Sequence, residues 1–198
     1  GHRLVKQTRN DFGANGTTVD VIVPKKFLNY LSSHLKDGEA ELLLAEDHLA
    51  AKVGSDVVIT RIIDESFPNY ETVIPKENNK RLVVEKNSLL GAIKRVSIFS
   101  NKSTHQVALS LDSEGCKITT EDPEKSSKAQ EKIAATYEGD PIVIGYNAEY
   151  LKDVVSHIDG EEVAIDLSSP VSAALFSSMQ SDEKVESIML LMPIRLND

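Results

Sequence analysis

Apolar residues recur along this chain with two alternating periods. Between Pro24 and Lys36, Phe27, Leu28, Leu31 and Leu35 fall on one side of a helix, an amphipathic stripe, and Pro24 suits a first helical turn. Lys86–Phe99 repeats the pattern with Leu89, Leu90, Ile93, Val96 and Ile98, and Asn87 or Ser88 can cap it. Asn147–Ile158 shows it a third time, with Tyr150, Leu151, Val154, Val155 and Ile158 on the stripe and Asn147 as the cap. Between the helices the period falls to two. Val107, Leu109 and Leu111 point one way and their neighbours the other, as in a half-buried strand. Breaks containing Ser, Asp and Gly separate consecutive strands, which predicts hairpins and largely antiparallel sheets.

The pattern is an internal repeat. Ser32–Val53 (SSHLKDGEAELLLAEDHLAAKV) and Val155–Phe176 (VSHIDGEEVAIDLSSPVSAALF) both read helix end, Asp-Gly turn, strand, polar turn, strand. Upstream, VIVPKKFLNYL matches IVIGYNAEYLKDV in kind, and a weaker middle copy begins at Arg81. The expected fold is α+β: three βαβββ units, each placing one helix on one face of an antiparallel sheet. IPKENNK (Ile74–Lys80) reads as a linker, giving domains of 1–75 and 76–198. One copy precedes it and two follow. If two copies make a domain, the first domain is half missing.

At 198 residues the chain has room for one or two domains. A single cysteine, Cys116, excludes an internal disulfide framework and suits a reducing compartment, so a cytoplasmic location is expected. No apolar run approaches the ~20 residues of a membrane helix, and no secretory h-region opens the sequence. The formal charge is −9, which argues against nucleic-acid binding by the whole surface. The base is segregated, however. Lys25, Lys26 and Lys36 stand in the first helix window, and Lys86, Lys94, Arg95 and Lys102 in the second, with no Asp or Glu in either. If the helices share a surface, it is positive inside an acidic body and suits a phosphate backbone held without base reading.

The residues point away from catalysis. His2, His34, His48, His105 and His157 lack metal-ligand spacing, and there is no Walker loop, G-x-S-x-G or G-x-G-x-x-G. No metal, cofactor or catalytic residue is expected. The adjacent carboxylates Asp64–Glu65, Glu121–Asp122 and Glu161–Glu162 read as turn solvation, and His34 and His157 as contacts to helix C-termini. The end of the chain carries more information. In IMLLMPIRL (Ile188–Leu196), Pro193 cannot donate to a ladder. Ile194 and Leu196 then leave the sheet partly exposed, as in a binding groove.

Four segments, in order, resemble the bacterial sliding clamp, the beta subunit of DNA polymerase III. They are GHRL (Gly1–Leu4), FPNYETVIP (Phe67–Pro75), GYNAEYLKDVV (Gly145–Val155) and MPIRL (Met192–Leu196). The resemblance spans the chain and implies the DNA-clamp fold, here the second half of a middle domain (1–75) and a complete last domain (76–198). It implies a processivity factor: a head-to-tail homodimeric ring around duplex DNA that tethers a polymerase and has no catalytic residues. The phosphate-facing residues would be Lys25, Lys26, Lys94, Arg95 and Lys152. DNA polymerase subunits, the clamp loader and repair proteins would dock short Gln-Leu-x-Leu-Phe-like peptides. Their pocket would comprise Gly1, His2, Arg3, Leu4, Pro68, Val73, Asn147, Tyr150, Val171, Ala173, Leu190, Leu191, Met192, Pro193, Ile194, Arg195 and Leu196. Ile98 and Phe99 match the apolar pair that packs on a neighbouring subunit, yet a fragment without the first domain is not expected to close the ring. Thr72, and Asn197 and Asp198 beyond the usual terminal Leu, depart from the family pattern. The alternative is a repeat-type interaction scaffold with no DNA role.

Overall fold

The computed structural model describes residues 3–9, 19–35, 39–180 and 184–196. Its strands and helices, in order, are β1 (Arg3–Arg9), α1 (Lys25–His34), β2 (Ala40–Leu44), β3 (His48–Val53), β4 (Asp56–Arg61), β5 (Lys80–Glu85), α2 (Lys86–Ser97), β6 (Gln106–Asp112), β7 (Gly115–Asp122), β8 (Ser127–Ile133), β9 (Ala135–Glu138), β10 (Ile142–Asn147), α3 (Ala148–Ser156), β11 (Glu162–Leu167), β12 (Ala174–Ser178) and β13 (Val185–Leu191). A short 3-10 turn spans Tyr70–Val73.

The helix starts follow from capping. Asn147 accepts from the amides of Glu149 and Tyr150 at 2.9 and 3.2 Å, satisfying donors that the first turn leaves open. For α2 the cap is Glu85, two residues ahead of the expected Asn87 and three ahead of Ser88. Its carboxylate accepts from the amides of those two residues at 2.8 and 2.5 Å. A carboxylate at the positive end of the helix adds a favourable dipole contact. Pro24 is extended (φ −61°, ψ 134°) and lies just outside α1.

Compactness divides the chain into 13–69 and into 1–12 together with 70–198. The physical reason lies in β1: it pairs with β13 along its whole length, from Arg3 opposite Leu191 to Arg9 opposite Val185.

The larger unit holds two sheets, both antiparallel. One runs β1-β13-β12-β11-β5-β9 and the other β10-β6-β7-β8. The two repeats exchange their first strands. β5, which opens the middle copy, pairs with β11 of the last copy, and β10, which opens the last copy, pairs with β6 of the middle one. A single core drawn from both sheets, α2 and α3 unites Leu82, Leu89, Ile93, Leu109, Ile118, Ile144, Leu151, Ile165 and Phe176. The expected inward set Val107, Leu109 and Leu111 is buried.

The smaller unit is one repeat. β2-β3-β4 form a three-stranded sheet, and a small core joins Phe27 and Leu31 of α1 to Leu49 and Ala51 of β3. Leu28, placed by periodicity on the buried stripe, is 51% exposed. Leu89 and Leu151 stand at the same distance after their helix caps and are completely buried.

That contrast sets an expectation for stability. Leu89→Ala and Leu151→Ala each lose buried contacts and leave cavities, costing about 2–5 kcal/mol. Leu28→Ala costs under about 1 kcal/mol, because most of its surface is already hydrated. Urea unfolding of the three variants measures the difference.

Candidate functional site

Several of the expected site residues lie on β1, on β13 and on the tail that follows β13. Within β1 and β13, Leu4 lies opposite Leu190 and Arg3 opposite Leu191. Alternation then puts the two pairs on opposite faces of the sheet. Leu191 belongs to the core, 1% exposed, so it is not available to a ligand, contrary to its expected place in the pocket. Arg3 shares that helix-side face. Its guanidinium stacks over the Tyr150 ring at 4.4 Å and pairs with the Asp153 carboxylate of α3. On the other face Lys6, two residues from Leu4, pairs with Glu71 at 3.6 Å and lies 5.7 Å from the Tyr70 ring centre. The 3-10 turn that carries Val73 is thereby linked to β1 through Lys6. Asn78 Nδ2 extends this tether, donating to the carbonyls of Asp166 and Ala173 at 2.8 and 3.3 Å.

Beyond Leu191 the tail leaves β13, as Pro193 requires, but it does not remain unpaired. The Ile194 amide donates to the Gly145 carbonyl of β10 at 2.8 Å, so the tail crosses from one sheet to the other. A Cβ on Gly145 would sit 2.7 Å from the Ile194 carbonyl oxygen and 2.6 Å from Leu196 Cδ2. Glycine is required here for close approach, and an isolated Gly in a strand is the sequence signal for it. Asn147, two residues on, has its oxygen committed to the cap and its Nδ2 donating to the Thr104 carbonyl at 3.0 Å. It therefore positions Tyr150 and α3. Val73, Val171 and Met192 are 52, 60 and 36% exposed. Pro193, Ile194 and Leu196 are half-buried, Arg195 is exposed, and Leu190 and Ala173 are buried. Gly1, His2, Lys36, Asn197 and Asp198 lie outside the described residues. Pro68 is exposed on the smaller unit.

The cationic candidates divide by their partners. Arg95 makes a two-pronged pair with Glu131 of β8 at 2.6 and 3.0 Å, which holds the Glu131 carboxyl below its ordinary range. Lys152 pairs with Glu149 at 2.6 Å. Lys94 has no ion-pair partner among the described residues. Lys94 and Lys152 line one hollow of about 610 Å³ with Arg3, Leu90 and Tyr150. Lys25 and Lys26 are exposed in the first turn of α1. Ile98 and Phe99 are 75 and 46% exposed at the end of α2.

Among the described residues no three His, Cys, Asp or Glu side chains could hold a metal ion, and no helix is long and apolar enough to cross a membrane. Burial pushes the Cys116 thiol up to about 12, which keeps it protonated and unreactive. His34 Nδ1 lies 2.8 Å from the Tyr30 carbonyl and His157 Nδ1 2.8 Å from the Asp153 carbonyl. Each imidazole thus closes the last turn of its helix, in equivalent places of two repeats.

Residues 71–195 match the family model described as DNA polymerase III beta subunit, C-terminal domain. The chain belongs to that family. The beta sliding clamp of Pseudomonas putida is 33% identical over 198 residues, and that of Escherichia coli is 30% identical. Each alignment takes in 99% of this chain and 53% of the relative, so the chain spans about half the length of the clamps it matches. The solved sliding clamp of Pseudomonas aeruginosa superimposes with a TM-score of 0.90 at 32% identity, covering 99% of this chain and 53% of that one. The Bartonella birtlesii clamp bound to griselimycin gives 0.88 at 30%, covering 98% and 52%. The clamp fold that the resemblance implied is therefore the fold of this chain.

Two members of the site, Asp153 and Gly145, were not among the residues expected from the sequence. Asp153 is one charge on a helix surface until β1 brings Arg3 to it. Gly145 carries a signal, but only the tail lying across β10 gives it meaning.

Replacing Gly145 by Ala drives a methyl group into the Ile194 backbone. The expected result is a loss of about 1–3 kcal/mol together with faster hydrogen exchange at the Ile194 amide. Unaltered exchange there would mean that the tail does not depend on this contact.

Proposed function

We propose that the chain is the C-terminal part of a replicative sliding clamp: the second half of a middle domain (1–75) and a complete last domain (76–198). The whole protein encircles duplex DNA as a dimeric ring and keeps a polymerase from diffusing away, in the cytoplasm where the chromosome is copied. The observation that carries this reading is the tail bridge from Ile194 to Gly145 in a chain of the clamp family. The bridge holds Met192, Ile194 and Leu196 at the surface, with Leu4 and Val73 across the end of β13. An apolar floor with a fixed polar rim suits a short extended peptide whose Leu and Phe side chains are the anchors. Polymerase subunits, the clamp loader and repair proteins are the proposed carriers of such peptides.

Phosphate contact is proposed to fall unevenly on the basic set. A cation already paired to a carboxylate adds less to counterion release than a free one. Lys25, Lys26 and Lys94 therefore face the duplex with full charge, while Arg95 and Lys152 are largely neutralised by Glu131 and Glu149. Ile98 and Phe99 form the subunit contact of the whole ring. An interaction scaffold with no DNA role is the second reading, and the internal pairing of Arg95 and Lys152 favours it.

Two measurements test these assignments. A fluorescent Gln-Leu-x-Leu-Phe peptide is expected to bind, with Met192→Ala weakening it about tenfold, about 1.4 kcal/mol. Equal affinity of the variant would remove Met192 from the pocket, and no binding would remove the pocket. For DNA, anisotropy of a short duplex across a salt series is expected to show Lys94→Ala lowering affinity and reducing the salt slope by about 1. Arg95→Ala changes it less. Absence of any dependence on Lys94 selects the scaffold reading.

A further inference from the structure

We infer that Asn78 is a positioning residue for the peptide pocket: its side-chain amide closes the end of the β11–β12 hairpin and ties the loop that carries Val171 to the segment that carries Val73. The inference rests on the pocket proposed above and names a residue outside the set expected to line it.

The ladder between β11 and β12 ends at Asp166 opposite Leu175. Beside it lie two backbone acceptors, the carbonyls of Asp166 and Ala173, and neither can bond the other. Asn78 serves both. Its Nδ2 lies 2.8 Å from the Asp166 oxygen and 3.3 Å from the Ala173 oxygen, and an NH2 group has one hydrogen for each. Because both neighbours only accept, the nitrogen and not the oxygen must occupy this place. The tip of the loop makes its own bonds. Ser169 Oγ accepts from the Ser172 amide at 3.2 Å and lies 2.7 Å from Ser172 Oγ. The tip is therefore shaped locally, whereas its two ends are joined through Asn78.

Those ends lie at the proposed pocket. β12 begins at Ala174, opposite Leu191, the last residue of β13. The loop thus enters the sheet where the tail leaves it, and Val171 and Met192 belong to the same end. Asn78 itself follows the 3-10 turn of Tyr70–Val73, which Lys6 links to β1. One residue therefore connects two walls that would hold a peptide between them. Its Oδ1 is buried and has no hydrogen-bond partner among the described residues. Desolvation of that oxygen offsets what the two bonds contribute, so Asn78 adds little to global stability. What it fixes is the place of the loop.

Three substitutions in the 198-residue chain test this. They are read by affinity for the fluorescent Gln-Leu-x-Leu-Phe peptide, by hydrogen exchange and by urea unfolding. Asn78→Ala removes both bonds and is expected to weaken peptide binding about three- to tenfold, the range of one typical hydrogen bond. It is also expected to speed exchange at the amides between Ser168 and Ala174 and to leave the urea midpoint nearly unaltered. Asn78→Asp keeps the shape but sets a carboxylate against two carbonyl oxygens, and it is expected to weaken binding more than alanine does. A residue that only fills space gives the reverse order, the near-isosteric aspartate being the milder, and that order overturns the proposal. Asn79→Ala removes a neighbouring side chain that accepts from Lys80 Nζ at 3.3 Å and is expected to leave affinity unchanged. Equal weakening by Asn79→Ala overturns the proposal, as does exchange that quickens throughout β6 and β7, because Asn78 would then serve folding in general. If all variants bind as tightly as the unsubstituted chain, the pocket stands and Asn78 has no part in it. If the unsubstituted chain binds no peptide, the pocket itself is removed and the role of Asn78 falls with it.

Discussion

The structure depends on one constraint: the first strand of each repeat cannot satisfy both of its edges within that repeat. One edge is met by the repeat's own later segment, at Ile63, Thr136 or Ile194. The other must be met from outside. In the larger unit the two repeats solve this by exchange, β5 to β11 and β10 to β6. Backbone donors and acceptors removed from water need partners, so the exchange fixes the repeats against each other before any side chain is considered. The core follows. Once the strands are exchanged, α2 and α3 lie over both sheets, and Leu89, Ile93, Leu151 and Val155 are sealed among residues of either copy.

The same constraint builds the site. Because the last repeat must bond its own tail to β10, the chain turns out of β13 at Met192 and crosses to Gly145. Pro193 ends the first ladder, and the glycine admits the backbone to the second. Apolar side chains that would be buried in a continuing strand are then held in the open, beside an edge that β1 covers. Arg3 secures β1 to α3 through Tyr150 and Asp153, and Lys6 secures the 3-10 turn to β1. The exposed tail and the closure of the fold thus rest on the same few contacts.

Charge is arranged with similar economy. The acidic strands lend carboxylates to particular helix cations, as Glu131 does to Arg95. A bidentate guanidinium–carboxylate pair fixes a side chain in place, but it removes that charge from the outward field. Basic helices in an acidic chain therefore do not make every cation available. Among the described residues, Lys94 on α2 and Lys25 and Lys26 on α1 have no ion-pair partner and keep their charge in that field.

By itself the sequence determined the local elements, because periodicity, caps and turn residues are properties of neighbouring positions. The stripes of α2 and α3, the Asn147 cap, the alternation of Val107, Leu109 and Leu111, and the break at Pro193 were all legible there. The motifs around Gly1, Phe67, Gly145 and Met192 disclosed the family for the same reason. Only the tertiary structure decided which edges meet. Nothing local distinguishes Leu28 from Leu89, yet one is wet and the other dry, since a second repeat covers only the latter. Nor does local pattern show that Arg95 is tied to Glu131. Both depend on residues from separate elements being brought together by the tertiary fold, which periodicity does not encode.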